Sequence, residues 1–147
     1  MYDKINYIPL KWSIEKHDMI INISGGLHGI AEESKDHLSS ILSFMQDNHY
    51  YPSFIEKLSF LTYAIAKDHI FIDGNKRTAI ALGAYFLVLN GYDALVHRYM
   101  QEMENYVVWV MEKRLTREDL IDKITYIILD IDETEDFKLN IIAKLNK

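Results

Sequence analysis

Ala79-Ile80-Ala81-Leu82-Gly83-Ala84-Tyr85-Phe86-Leu87-Val88-Leu89 is an apolar run without a single charge, and Asn90-Gly91 stops it. Wound as a helix, such a run has no polar face and calls for burial on all sides, hence for other helices around it. Immediately before it stands His69-Ile70-Phe71-Ile72-Asp73-Gly74-Asn75-Lys76-Arg77-Thr78, which gathers an imidazole, a carboxylate, an amide, two cations and a hydroxyl. The N-terminus of a helix carries unpaired N–H groups and the positive end of the dipole, so it attracts anions. Gly74 allows the backbone a close approach to a ligand, and Lys76 and Arg77 add positive charge. The two stretches together describe a phosphate site on the central helix of an all-α domain.

The flanking sequence supplies the surrounding helices. Leu10, Ile14, His17 and Ile21 recur at helical spacing behind Pro9, and Gly25-Gly26 ends that segment. A second helix is expected from near Ser34, with Leu38, Ile41, Leu42 and Met45 on one face. Ser53-Phe54-Ile55-Glu56 has the form of a capping box and opens a third, which turns Phe54, Leu58, Leu61 and Ile65 inward and ends near Lys67-Asp68. After the central helix, Gly91 is expected at C′. Met103, Tyr106, Val107, Val110 and Met111 mark a further amphipathic helix. Thr116-Arg117-Glu118-Asp119 starts the next, expected to bury Leu120, Ile124, Ile127, Ile128 and Ile131. The acidic run Asp130–Asp136 is expected in solvent. Phe137, Ile141 and Leu145 form at most a short, marginal terminal helix.

With 147 residues, 49% of them hydrophobic and 26% charged, the chain reads as one folded domain over 1–147, in which 132–147 is the acidic stretch with its marginal helix. A net charge of −6 argues against a direct nucleic-acid partner. The absence of cysteine removes disulfides, thiolate catalysis and Cys-based metal sites. The apolar run is too short to cross a bilayer, and Met1–Trp12 lacks the pattern of a signal peptide, so the expected address is the cytoplasm.

Other chemistries fit less well. His17-Asp18 and Asp68-His69 invite a metal phosphohydrolase reading, but that chemistry needs several ligands converging on one or two ions. His17 falls on the apolar face of its helix and reads as a packed or buttressing histidine. The glycines between Ser24 and Ile30 lack dinucleotide-loop spacing. Gly74-Asn75-Lys76-Arg77-Thr78 lacks the first glycine and the strand of a P-loop.

His69-x-Phe71-x-Asp73-Gly74-Asn75-Lys76-Arg77-Thr78-Ala79 resembles the signature of the Fic/Doc proteins, and in particular of the Doc (death-on-curing) toxins. Gly25-Gly26-Leu27-His28-Gly29-Ile30 resembles the Doc GGLPG(I/M) loop, with His28 in the place of proline. Leu87-x-Leu89-Asn90-Gly91-Tyr92 resembles the end of the Doc central helix, and the likeness runs from about Leu10 to Leu129. The resemblance implies a compact six-helix bundle around a buried central helix. It implies a cytoplasmic toxin that transfers the γ-phosphate of ATP, with Mg²⁺, to a hydroxyl of a protein such as translation elongation factor Tu. It also implies an antitoxin supplied in trans. Carried over, His69 is the base for the hydroxyl proton and Asp73 the Mg²⁺ ligand. Gly74 and Asn75 form the anion hole, Lys76 and Arg77 hold phosphate oxygens, and Thr78 completes the phosphate-binding set. AMP-transferring Fic proteins usually have glycine at the position of Lys76 and a second arginine at that of Ile80, so both positions favour a kinase. The nearest match to a Fic inhibitory helix, Ser43-x-x-x-Asp47-Asn48, has a shortened carboxylate. The alternatives are AMP transfer on the same scaffold and a non-catalytic binding module.

Overall fold

In the computed structural model, which describes residues 4–26, 30 and 32–147, the apolar run forms α4 (Asn75–Leu89). Around it lie α1 (Leu10–Ser24), α2 (Glu32–Phe44), α3 (Phe54–Lys67), α5 (Val96–Met111), α6 (Arg117–Ile128) and α7 (Glu135–Leu145). A 3-10 turn, Asp93–Leu95, leads into α5. Among the described residues there is no strand, only an isolated antiparallel bridge between Ile30 and Phe71. No helix among them is long and apolar enough to cross a membrane. Leu27, His28 and Gly29 of the glycine loop lie outside the described residues.

The centre is shared by α3 and α4. Helix α4 packs on α1, α3 and α5, while α3 packs on α2, α4, α5 and α6. Their facing sides carry Leu58, Leu61, Ile65, Leu82, Phe86 and Leu87, all buried. Three neighbours do not enclose a helix, so the expectation that α4 is buried on every side needs correction. Ile80 and Tyr85 are partly exposed and Val88 is 43% exposed. Helix α3, which reads as merely amphipathic, is as deeply set. It even buries Lys57, whose ammonium donates to the Met45 carbonyl (3.0 Å) and Asn48 Oδ1 (2.8 Å), holding the end of α2 and its following loop.

Caps set the helix boundaries. Ser53 Oγ accepts the Glu56 N–H at 3.1 Å, and Thr116 and Asp119 close a full capping box on α6. Gly91, with φ 85°, ends α4 in a Schellman motif, its own N–H on the Val88 carbonyl and that of Tyr92 on Leu87. The expected burial of Ile131 is wrong: it is 48% exposed. Asp130 takes a left-handed conformation (φ 51°), and the Ile131 N–H returns to the Tyr126 carbonyl, so α6 stops at Ile128 with no glycine to announce it. Arg98 fixes that corner by donating to Asp130 Oδ1 and the Ile131 carbonyl. Nor is the acidic run wholly solvated. Glu133 is largely buried and pairs with Lys123, which also pairs with Glu102.

The described residues hold seven α-helices where six were expected, and α7 is the addition. Its first turn is capped by Thr134 Oγ1, which accepts the Phe137 N–H. Phe137 and Ile141 are buried, worth about 1.5–3 kcal/mol each. The Lys144 ammonium reaches both oxygens of Asp119 (2.8 and 3.0 Å), and Arg114 donates to the Leu145 carbonyl. A short helix that is marginal by itself becomes stable when two apolar anchors and an ion pair dock it.

Candidate active site

The C-terminus of α3 and the N-terminus of α4 meet at the signature. Helix α3 is capped by Asp68, and His69 follows with φ 50°, a left-handed conformation rarely taken by a residue with a side chain. Ile70 and Phe71 then bury themselves as an anchor, while Ile72 is exposed. Gly74, at φ 76° and ψ 22°, is the N-cap of α4. The positive φ favours glycine, and a Cβ there would come within 2.8 Å of Ile21 Cδ1, so a larger residue would also have to displace the end of that side chain.

The C-terminal half of α1 braces this turn. His17 is fully buried, its ring stacked on that of Phe71 (centroids 3.8 Å apart, planes 6° apart). Its Nε2 lies 2.7 Å from the Asp73 carbonyl oxygen. Beyond Ile21, Gly25 accepts a hydrogen bond from Arg77 Nη1 at 3.2 Å. The Gly26 backbone passes so close to Asp73 that a Cβ on Gly26 would meet Oδ2 at 2.7 Å. The glycine pair that ends α1 therefore also seats the signature.

His69, Asp73, Gly74, Asn75, Lys76 and Arg77 line one open cavity of about 410 Å³, with Ala66 and Ile72 as apolar wall. That is within the size range of ligand clefts. A larger and more open hollow of about 730 Å³ over the end of α2, between Ser39 and Asp47, gathers no cation and is set apart from the signature. His69, Lys76 and Arg77 are exposed, and Asp73 is half-buried between them. Asp73 Oδ1 accepts the Gly74 N–H at 2.8 Å.

Two signature residues are placed differently from the simple expectation. The side-chain amide of Asn75 folds back on Phe71, accepting its N–H and donating to its carbonyl, both at 2.9 Å. What Asn75 presents to the cavity mouth is thus the start of the helix rather than a free amide. Thr78 does not line the cavity. It is fully buried one turn into α4, and its hydroxyl has no hydrogen-bond partner among the described residues.

No group of three or more His, Cys, Asp or Glu side chains that could hold a metal occurs among the described residues. A carboxylate beside cations fits Mg²⁺, which takes one or two carboxylates, waters and the oxygens of a nucleotide phosphate. Asp73 is the residue that would hold it. Sequence reasoning missed the roles of Gly26, Phe71 and the Asn75 side chain, which lie in backbone geometry. For His17 the signal was a polar ring on an apolar helix face, since a buried imidazole needs a partner.

A groove for an antitoxin segment, expected between the N-terminal helix around Trp12 and the Asp47–Pro52 loop, does not lie beside the signature. Trp12 stacks on Tyr85, ten residues into α4 and so about 15 Å along its axis. The loop is held by Lys57 at the opposite end of α3 from His69.

A family model described as Fic/DOC family matches residues 7–87. The match takes in α1, the glycine pair, the signature and most of α4. No curated protein matches the chain.

Proposed function

The chain belongs to the Fic/DOC family, whose members generally transfer nucleotide or phosphoryl groups to proteins, and we propose that it is a Doc-like protein kinase acting with ATP and Mg²⁺. The observation that carries this reading is Lys76 on the cavity wall at the mouth of α4, at a position where AMP-transferring relatives usually have glycine. An ammonium there fills the space of the AMP-transfer orientation and offers its charge to the phosphate tail. Ile80, one turn on, is half-buried and has no charge with which to grip a γ-phosphate.

Phosphoryl transfer needs alignment and concentrated positive charge more than covalent help. In the proposed reaction the hydroxyl oxygen of a protein substrate attacks the γ-phosphorus. The bond from that phosphorus to the β,γ-bridging oxygen breaks, ADP leaves, and the hydroxyl proton passes to His69. Lys76, Arg77 and the first N–H groups of α4 face the oxygens on which charge accumulates. Mg²⁺ held at Asp73 would neutralise the phosphate tail. The substrate we expect first is translation elongation factor Tu, whose phosphorylation would stop translation. The restraint we expect is an antitoxin in trans.

Incubation with γ-labelled and, separately, α-labelled ATP in a bacterial lysate tests the reading. Label on protein from the γ position alone supports the kinase. Label from the α position means AMP transfer, and no label from either means a binding module. Toxicity is a separate question: expression alone should arrest growth, and co-expression of the neighbouring reading frame should relieve the arrest. Normal growth at high soluble expression without that neighbour would remove the toxin reading.

A further inference from the structure

We infer that His17 is a positioning residue for the Asp73 carboxylate and acts on it through the Asp73–Gly74 peptide. The Asp73 carbonyl oxygen can only accept a hydrogen bond, so its 2.7 Å contact places a proton on His17 Nε2, while the other ring nitrogen, Nδ1, lies 3.1 Å from Asp18 Oδ1. That peptide is trans, which puts its oxygen and its N–H on opposite edges of one rigid plane. Fixing the oxygen on His17 therefore fixes the direction of the Gly74 N–H. That N–H donates to Asp73 Oδ1 at 2.8 Å. The chain of contacts runs from imidazole to carbonyl, across the peptide to the amide, and from the amide to the carboxylate. Hydrogen bonds in series polarise one another, so the link carries electrostatics as well as geometry.

Neighbouring contacts hold both ends of this link. The His17 ring cannot tilt, because it is buried and lies flat on Phe71. Phe71 in turn is held through its backbone by the Asn75 amide. Gly26 closes on the second carboxylate oxygen, which leaves Asp73 little room to find another rotamer if the peptide turns. A buried aromatic of the same shape would fill the space under the signature equally well. What an imidazole adds towards Asp73 is the Nε2–H donor, beside an Nδ1 contact with Asp18 Oδ1.

The consequence for metal and nucleotide rests on the function proposed above, whereas the peptide clamp does not. Two substitutions separate donor from shape. His17→Phe keeps the ring and its stack but has no donor. His17→Gln gives up the ring and carries an N–H₂ that reaches the position of Nε2. In isotope-labelled protein, NMR reads the carbonyl-carbon resonance of Asp73 and the amide-proton resonance of Gly74. Both should move upfield in His17→Phe and stay near their wild-type positions in His17→Gln. Calorimetry of ATP binding in Mg²⁺ should show about a tenfold loss in His17→Phe, the lower end for outer residues that orient a metal ligand, and less than about threefold in His17→Gln. The melting temperature of His17→Phe should not fall in parallel. Should His17→Phe fail to fold, His17→Met serves as the donor-free variant. Unmoved Asp73 and Gly74 resonances in the donor-free variant, or equal losses in Phe and Gln, would overturn the inference. So would moved resonances with unchanged Mg²⁺-dependent binding. Wild-type protein that binds ATP equally with and without Mg²⁺ would sink the proposed function instead, and the two resonances would still decide the clamp.

Discussion

The Tyr99 hydroxyl fills the notch that Gly83 leaves in α4: a Cβ on Gly83 would lie 2.1 Å from that oxygen and 2.8 Å from Cζ. Thr62 Oγ1 donates to the Leu58 carbonyl (2.9 Å) and so accepts from Tyr99 (2.8 Å), which locks α3, α4 and α5 together at one point. Burial pushes the Tyr99 phenol far above its ordinary range, so the donor is not titrated away. Gly83→Ala should cost about 1–3 kcal/mol by overpacking. Tyr99→Phe removes the colliding oxygen, so adding it to Gly83→Ala should cost less than it does alone. Urea unfolding of the four proteins of this cycle measures the coupling, and strictly additive costs would mean the notch is not filled as described.

His69 combines a left-handed backbone with the base role proposed for it. Glycine relieves the backbone strain and alanine does not. His69→Gly should therefore be more stable than wild type by about 1 kcal/mol. His69→Ala should gain none of that, while both lose at least about 10²-fold in transfer. Melting curves and transfer assays on the pair check this, and a destabilised His69→Gly would contradict the geometry.

Asp119 ties α7 to the start of α6. Burial raises its carboxyl pKa, but the Lys144 ammonium and the Thr116 N–H and hydroxyl outweigh burial and hold it below the ordinary carboxylate value. A group with a lowered folded pKa stabilises at neutral pH, and that contribution is lost as pH falls below about 3.9 through the folded value. Asp119→Asn should flatten the fall in stability between about pH 5 and about pH 2. An unchanged acid slope in urea titrations would show that the pair does not hold α7.

Much of this was legible because local rules and the global fold agree. The apolar run 79–89, the Ser53 and Thr116 caps and the Gly91 stop are signals of sequence, and the structure has them at those residues. The illegible parts have particular causes. Asp130 ends a helix in a conformation its residue type rarely takes, so Ile131 looked internal. Helix α7 depends on Asp119 and Lys144, distant in sequence. Lys57 is buried because a loop carbonyl and Asn48 await it, and no periodicity reports such partners. At the site the signature residues stand out by type, yet the turning-back of Asn75 and the burial of Thr78 are matters of three-dimensional packing.

Asp73→Asn keeps the size of the side chain and removes its charge. ATP affinity in Mg²⁺ should then fall to about the value measured in EDTA, because the carboxylate that lines the cavity among the described residues is gone. Calorimetry in both buffers gives the comparison. A wild-type protein indifferent to Mg²⁺ would count against the role of Asp73.

The central claim is phosphoryl transfer to a protein hydroxyl from this cavity. Its most direct test is mass spectrometry of the proteins modified in a lysate supplied with ATP and purified wild type, His69→Ala or Asp73→Asn. We predict a phosphoryl group on a serine or threonine hydroxyl with wild type, and its loss with both variants. An adenylyl group at that hydroxyl, or equal phosphorylation by wild type and His69→Ala, would contradict it.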